Sequence, residues 1–104
     1  MVDLGPGIGH EAGGTRPVVI VSGDIANVAP VLVAVVPATA FNGPARSGVV
    51  VPADRSGHPN DLLVAATQVR VLDARRFLGQ PIGIVPEDLL AKVTFALKVY
   101  LDIL

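Results

Sequence analysis

The chain has no cysteine and no tryptophan, one tyrosine, three phenylalanines and two histidines in 104 residues. Without cysteine, disulfides and thiolate metal sites are excluded. The histidines, His10 and His58, do not make a metal site by themselves, and His58 sits in a turn cluster between Gly57 and Pro59. No metal and no other cofactor is expected. The few aromatics, Phe41, Phe77, Phe95 and Tyr100, argue against an aromatic-lined peptide groove. Charge is scarce as well: 16% of residues are charged and the formal net charge is −1. The basic excess of a generic nucleic-acid binder is absent, so any contact with nucleic acid must come from a local cluster. Long apolar runs are also missing. The densest, residues 28–41, is broken by Pro30 and Pro37, whereas a membrane-spanning helix needs about 20 apolar residues. No membrane contact is expected. The opening residues, 1–6, show neither a basic stretch nor an apolar one, so they do not read as a signal peptide. A cytoplasmic location is the resulting expectation.

What is present is an apolar fraction of 51% in a length suited to one domain, 1–104, which buries roughly 65% of its unfolded surface. The surplus apolar content suits a permanent oligomer interface, because obligate interfaces resemble a core cut in half. Six of the eight basic residues are arginine: Arg16, Arg46, Arg55, Arg70, Arg75 and Arg76. Arginine suits bidentate phosphate contact.

The pattern predicts short strands at residues 2–4, 17–22, 31–36 and 47–51, a long one at 62–72 and a last one at 82–85. Turn chemistry marks residues 23–30, 40–46 and 54–60, and 73–78 reads as one helical turn. Pro86, Glu87 and Asp88 open a helix, with proline at its first position, acids on the positive end of the dipole and Val85 at the cap. Leu89, Val93, Ala96, Leu97, Tyr100 and Leu104 form one apolar face, so the helix is expected to run to the chain end. Short strands followed by one helix make a β-rich α+β domain, mostly antiparallel.

Residues 5–16 hold a glycine-rich loop that carries His10 and Glu11 and ends at Arg16, before Pro17 and a β-branched strand. A dinucleotide loop would open a helix, and the Gly-Lys-Ser/Thr of a phosphate-binding loop is absent. The loop therefore reads as a mobile hairpin connection. It places an imidazole, a carboxylate and a guanidinium close together. Such a set can deprotonate a hydroxyl, neutralise a phosphate and reprotonate a leaving oxygen.

Four ordered pieces resemble the MazF/PemK/Kid family of toxin endoribonucleases: Gly9-His10-Glu11 followed by Gly14-Thr15-Arg16-Pro17; Val35-Val36-Pro37-Ala38-Thr39; Gln68-Val69-Arg70-Val71-Leu72-Asp73; and Ile82-Gly83-Ile84-Val85-Pro86-Glu87. The resemblance implies an SH3-like (CcdB/MazF-type) antiparallel barrel with a C-terminal helix. It further implies a homodimer that cuts single-stranded RNA without metal, is silenced by a cognate antitoxin, and meets DNA only through that antitoxin. Carried onto matching positions, it makes Arg16 and Thr39 catalytic. Glu11 and His10 compete for the base. Arg46, Arg55, Gln68 and Arg70 are expected to bind substrate. Ala65 and Thr67 stand where some relatives carry an acid–base pair of arginine and aspartate, and the first strand is shorter than theirs. An alternative is thus a weak or inactive homologue that binds antitoxin, or gyrase as CcdB does. The missing tryptophan argues against the gyrase role.

Overall fold

The structure is a computed structural model that describes residues 1–23, 32–41 and 48–103. The turns expected at 24–30 and most of the loop at 40–46, Arg46 included, lie outside the described residues.

The longest strand, β4 (Leu32–Ala40), organises the molecule. Its residues from Val35 to Ala38 are all buried, because successive side chains enter different cores. Val33 and Val35 pack with Val2, Leu4 and Leu72 in one cluster. Val36 and Ala38 pack with Val19, Val51, Leu62, Val64, Leu89 and Val93 in the other. A strand buried on both faces reads as a continuous apolar run, not as an alternation. The sequence placed the end of this strand at Val36. The strand instead continues through Pro37, which lacks an N–H but lies opposite Val18 and accepts a hydrogen bond from Ala65 N–H at 3.4 Å.

Among the described residues six other strands arrange themselves around it. β1 (Val2–Asp3) and β2 (Thr15–Arg16) form a hairpin, with Val2 opposite Arg16. β3 (Val18–Ile20) pairs with one edge of β4. β6 (Leu62–Val64) and β7 (Arg70–Asp73) pair with the other edge, and β5 (Val49–Val51) adds to β6; every pairing is antiparallel. The long strand expected over 62–72 is therefore two strands. Leu62 lies opposite Ala40 and Arg70 opposite Val35, so eight steps on one side match five on β4. The excess is folded out as a 3-10 turn, Ala66–Gln68, at the level of Pro37.

The helical turn expected after β7 is present as a second 3-10 turn, Ala74–Arg76. The strand expected at 82–85 is not. That segment pairs with no strand, and Ile84 is 90% exposed. Its place is set by backbone packing instead: a side chain at Gly83 would stand 2.5 Å from the Ser56 carbonyl. Ser56 ends a short helix, α1 (Ala53–Ser56). The final helix, α2 (Glu87–Leu101), has Pro86 rather than Val85 at its N-cap, again without a side-chain cap bond. It buries Leu89 and Val93 against β5 and the first 3-10 turn. It stops short of the chain end: Asp102 turns left-handed, and its N–H closes on the Lys98 and Val99 carbonyls. Among the described residues no helix is long and apolar enough to cross a membrane.

Candidate active site

The site is built where the N-terminal hairpin meets β4 and β7. Leu4 N–H donates to Gly14 O at 2.9 Å, and Gly14 N–H donates to Gly5 O at 2.7 Å, which closes the base of the loop. The loop is tied down rather than a free connection. Within it, Glu11 N–H bonds Ile8 O and the Glu11 carboxylate accepts from Ile8 N–H at 2.9 Å, making one compact turn. Across the gap, Gln68 donates through Nε2 to His10 O at 3.0 Å and accepts through Oε1 from Ala12 N–H at 2.9 Å. Both ends of its amide are therefore committed to the hairpin backbone. A role for Gln68 in holding the loop is added to the substrate contact expected from sequence.

Arg16 and Thr39 come together through register. β3 and β4 pair Val18 with Pro37, and Ala38 N–H donates to Pro17 O at 2.9 Å. The ladder ends there; β2, which carries Arg16, still lies against β4, and extending the register two residues past its last pair aligns Arg16 with Thr39. Directly opposed residues in antiparallel strands project on the same face. Arg16 shares parity with Val18, which packs on the Val2–Leu4 cluster. Thr39 shares parity with Val35 and Pro37 on that same side of β4. Both residues thus belong to the face that carries the glycine hairpin.

The Arg16 guanidinium is steered locally. Its Nε donates to Gly13 O at 2.9 Å, which ties it to the base of the hairpin. Among the described residues neither Arg16 nor Arg70 forms an ion pair. Thr39 is exposed and Arg16 half-buried. A polar hollow of about 440 Å³ opens between the hairpin and the start of β7, lined by His10, Glu11, Pro37, Thr67, Gln68 and Arg70 among others. A histidine, a glutamate and an arginine on one lining are the side-chain types that proton transfer and anion binding use.

Arg55 has a different setting. Its two terminal nitrogens donate to both carboxylate oxygens of Asp88, at 2.9 and 2.7 Å, joining α1 to the first turn of α2. The pair raises the Arg55 pKa and holds Asp88 below the usual carboxylate range. A phosphate bound by Arg55 has to compete with that partner. His58 ring Nδ1 accepts from Asn60 N–H at 3.1 Å, so the ring braces its own turn. Among the described residues no group of three or more His, Asp or Glu side chains converges as a metal-binding set.

Comparison with known proteins places this geometry. The family described as PemK-like, MazF-like toxin of type II toxin-antitoxin system matches residues 1–101. Endoribonuclease EndoA of Bacillus subtilis is 32% identical over 98% of this chain and 89% of its own length. MazF of Deinococcus radiodurans superposes with a TM-score of 0.81 at 28% identity, over 98% of this chain and 90% of that one. A MazE–MazF structure from the same organism gives 0.73 at 28% identity, over 99% and 90%. The strand-rich, curled antiparallel architecture with its terminal helix is that of MazF. With the fold and the match over nearly the whole chain in agreement, this chain belongs to the PemK-like, MazF-like family of type II toxin–antitoxin toxins.

Proposed function

We propose that this toxin cuts single-stranded RNA by turning the substrate's own 2′-hydroxyl on the adjacent phosphorus, with no metal required. The observation that supports the reading is the packing of the hairpin, with His10 and Glu11, and of β2, with Arg16, against β4, whose register with β3 extends toward Thr39. In this mechanism Arg16 grips two phosphate oxygens and offsets the charge of the phosphorane. The Thr39 hydroxyl donates to a non-bridging oxygen. Glu11 or His10 takes the 2′-proton, and the departing 5′-oxygen is protonated from the same mouth. The hydroxyl oxygen forms a bond to phosphorus as the bond to the 5′-oxygen breaks. The products are a 2′,3′-cyclic phosphate and a 5′-hydroxyl. Arg70, which lines the hollow, contacts the strand leading to the cut; Gln68 acts through the hairpin it holds, Arg55 binds a phosphate only by giving up Asp88, and Arg46 is proposed as a substrate contact from the sequence alone.

The name of the Bacillus relative supports RNA as substrate, and the MazE–MazF structure supports an antitoxin partner for this chain. We take the working form to be a homodimer in the cytoplasm, which accounts for exposed apolar side chains such as Ile84, Phe95 and Val99. The test is incubation with mixed-sequence RNA in EDTA, followed by end-group analysis. Cleavage at preferred sequences, leaving 5′-hydroxyl ends, is the expected outcome. Cleavage that needs a divalent ion, or 5′-phosphate ends, would refute the mechanism.

A further inference from the structure

We infer that Gln68 is a positioning residue whose side-chain amide splints the hairpin across Glu11 and so fixes the candidate base relative to Arg70. The inference rests on the ribonuclease reading above. Its ground is the pair of bonds that run from one amide to two backbone groups flanking a single residue: Nε2–H to His10 O at 3.0 Å and Oε1 from Ala12 N–H at 2.9 Å. That is the pattern one strand offers another, supplied here by a side chain. The splint is anchored at both ends. Gln68 closes the 3-10 turn, where its own N–H bonds Ala65 O at 3.0 Å, and Ala12 packs on the Val2–Leu4 cluster. Two residues on, Arg70 is locked opposite Val35 in the sheet. One rigid segment thus carries both the cation that lines the hollow and the clamp on the loop. A displacement near 1 Å of a reacting group costs about 100-fold in rate, so the clamp acts on kcat more than on KM.

Two variants separate this role from plain packing. Gln68→Met keeps the length and removes both hydrogen bonds. Gln68→Glu keeps the acceptor for Ala12 N–H but sets a second acceptor against His10 O until the carboxyl is protonated. The measurements are steady-state RNA cleavage between pH 5 and 8 and amide hydrogen exchange of residues 7–14, with far-UV circular dichroism as the control for folding. For Gln68→Met we expect kcat to fall by about 10- to 100-fold with KM within about twofold, and faster exchange at Ala12. For Gln68→Glu we expect activity relative to wild type to rise as pH falls, as the protonated carboxyl regains its donor. Unchanged kcat in Gln68→Met, or a Gln68→Glu profile parallel to wild type, overturns the inference even while wild type cleaves RNA and Arg16→Ala does not. If the wild type fails to cleave RNA, the ribonuclease reading fails. Wild-type exchange rates at Ala12 in Gln68→Met then overturn the splint itself.

Discussion

Arg16 bears the largest share of the chemistry assigned to one side chain. Its position opposite Thr39 follows from two backbone facts, the Val18–Pro37 pair and the Ala38 bond to Pro17. Removing a preorganised cation or donor from a developing oxyanion typically costs about 10²–10³-fold. Arg16→Ala is expected to lose at least that in kcat with its circular dichroism spectrum intact, and Arg16→Lys to recover little, since a point charge does not reproduce a fork. Thr39→Ser should stay active while Thr39→Val falls, because only the hydroxyl is used. Near-wild-type cleavage by Arg16→Ala would remove it from the mechanism. The motif brought Arg16 and Thr39 forward as candidates in the sequence, since each belongs to a short, ordered piece. Gln68 was legible as a motif residue but its clamp was not: the partners, His10 and Ala12, lie 58 and 56 residues away. The setting of Arg55 was equally hidden, because its carboxylate stands 33 residues on.

Among the elements, the hairpin is sensitive to a single atom. A Cβ at Gly13 would lie 2.6 Å from Gly7 N and 2.9 Å from Gly5 O, both backbone. Gly13→Ala is therefore expected to push the loop off Gln68 and lower cleavage by about tenfold or more, while β4 and its neighbours keep their spectrum. The second 3-10 turn has a pH signature. The Arg75 guanidinium, and next its backbone N–H, hold the Asp73 carboxyl down at about 2 from an ordinary 3.8. A depressed folded pKa means that the contribution is complete above the unfolded value and is lost as pH falls toward the folded one. Urea midpoints between pH 5 and 2 should show an acid loss in wild type that is smaller in Asp73→Asn. The elements themselves were partly readable. The α2 periodicity and its acidic opening gave the helix, and β-branched runs gave β3 and β5. The split of 62–72 did not show, because the polar interruptions Gln68 and Arg70 fit a half-exposed strand as well as a turn, and nothing local marks three residues folded out opposite a proline in another strand. Residues 82–85 looked like a strand by composition, but what places them is close backbone contact with α1.

At the scale of the molecule, one strand serves two cores and, in the proposed mechanism, carries Thr39 near its end. The Val2–Leu4 cluster carries the hairpin, the Leu89–Val93 cluster carries α2, and β4 joins them. This explains why the class of fold was visible from the sequence while the distribution of burial was not: the run from Val35 to Ala38 is apolar whichever core each side chain enters. It also explains why a net charge of −1 is compatible with an RNA substrate, since the cations that matter are the few left unpaired at one mouth. The central claim is that the substrate supplies its own nucleophile there. The most direct measurement compares two oligonucleotides that contain a mapped cut site and differ only in a 2′-deoxy sugar on the 5′ side of the scissile phosphate. The account predicts that the all-ribose strand is cut in EDTA and that the deoxy strand survives at that position. Cleavage of the deoxy site at a comparable rate would contradict it.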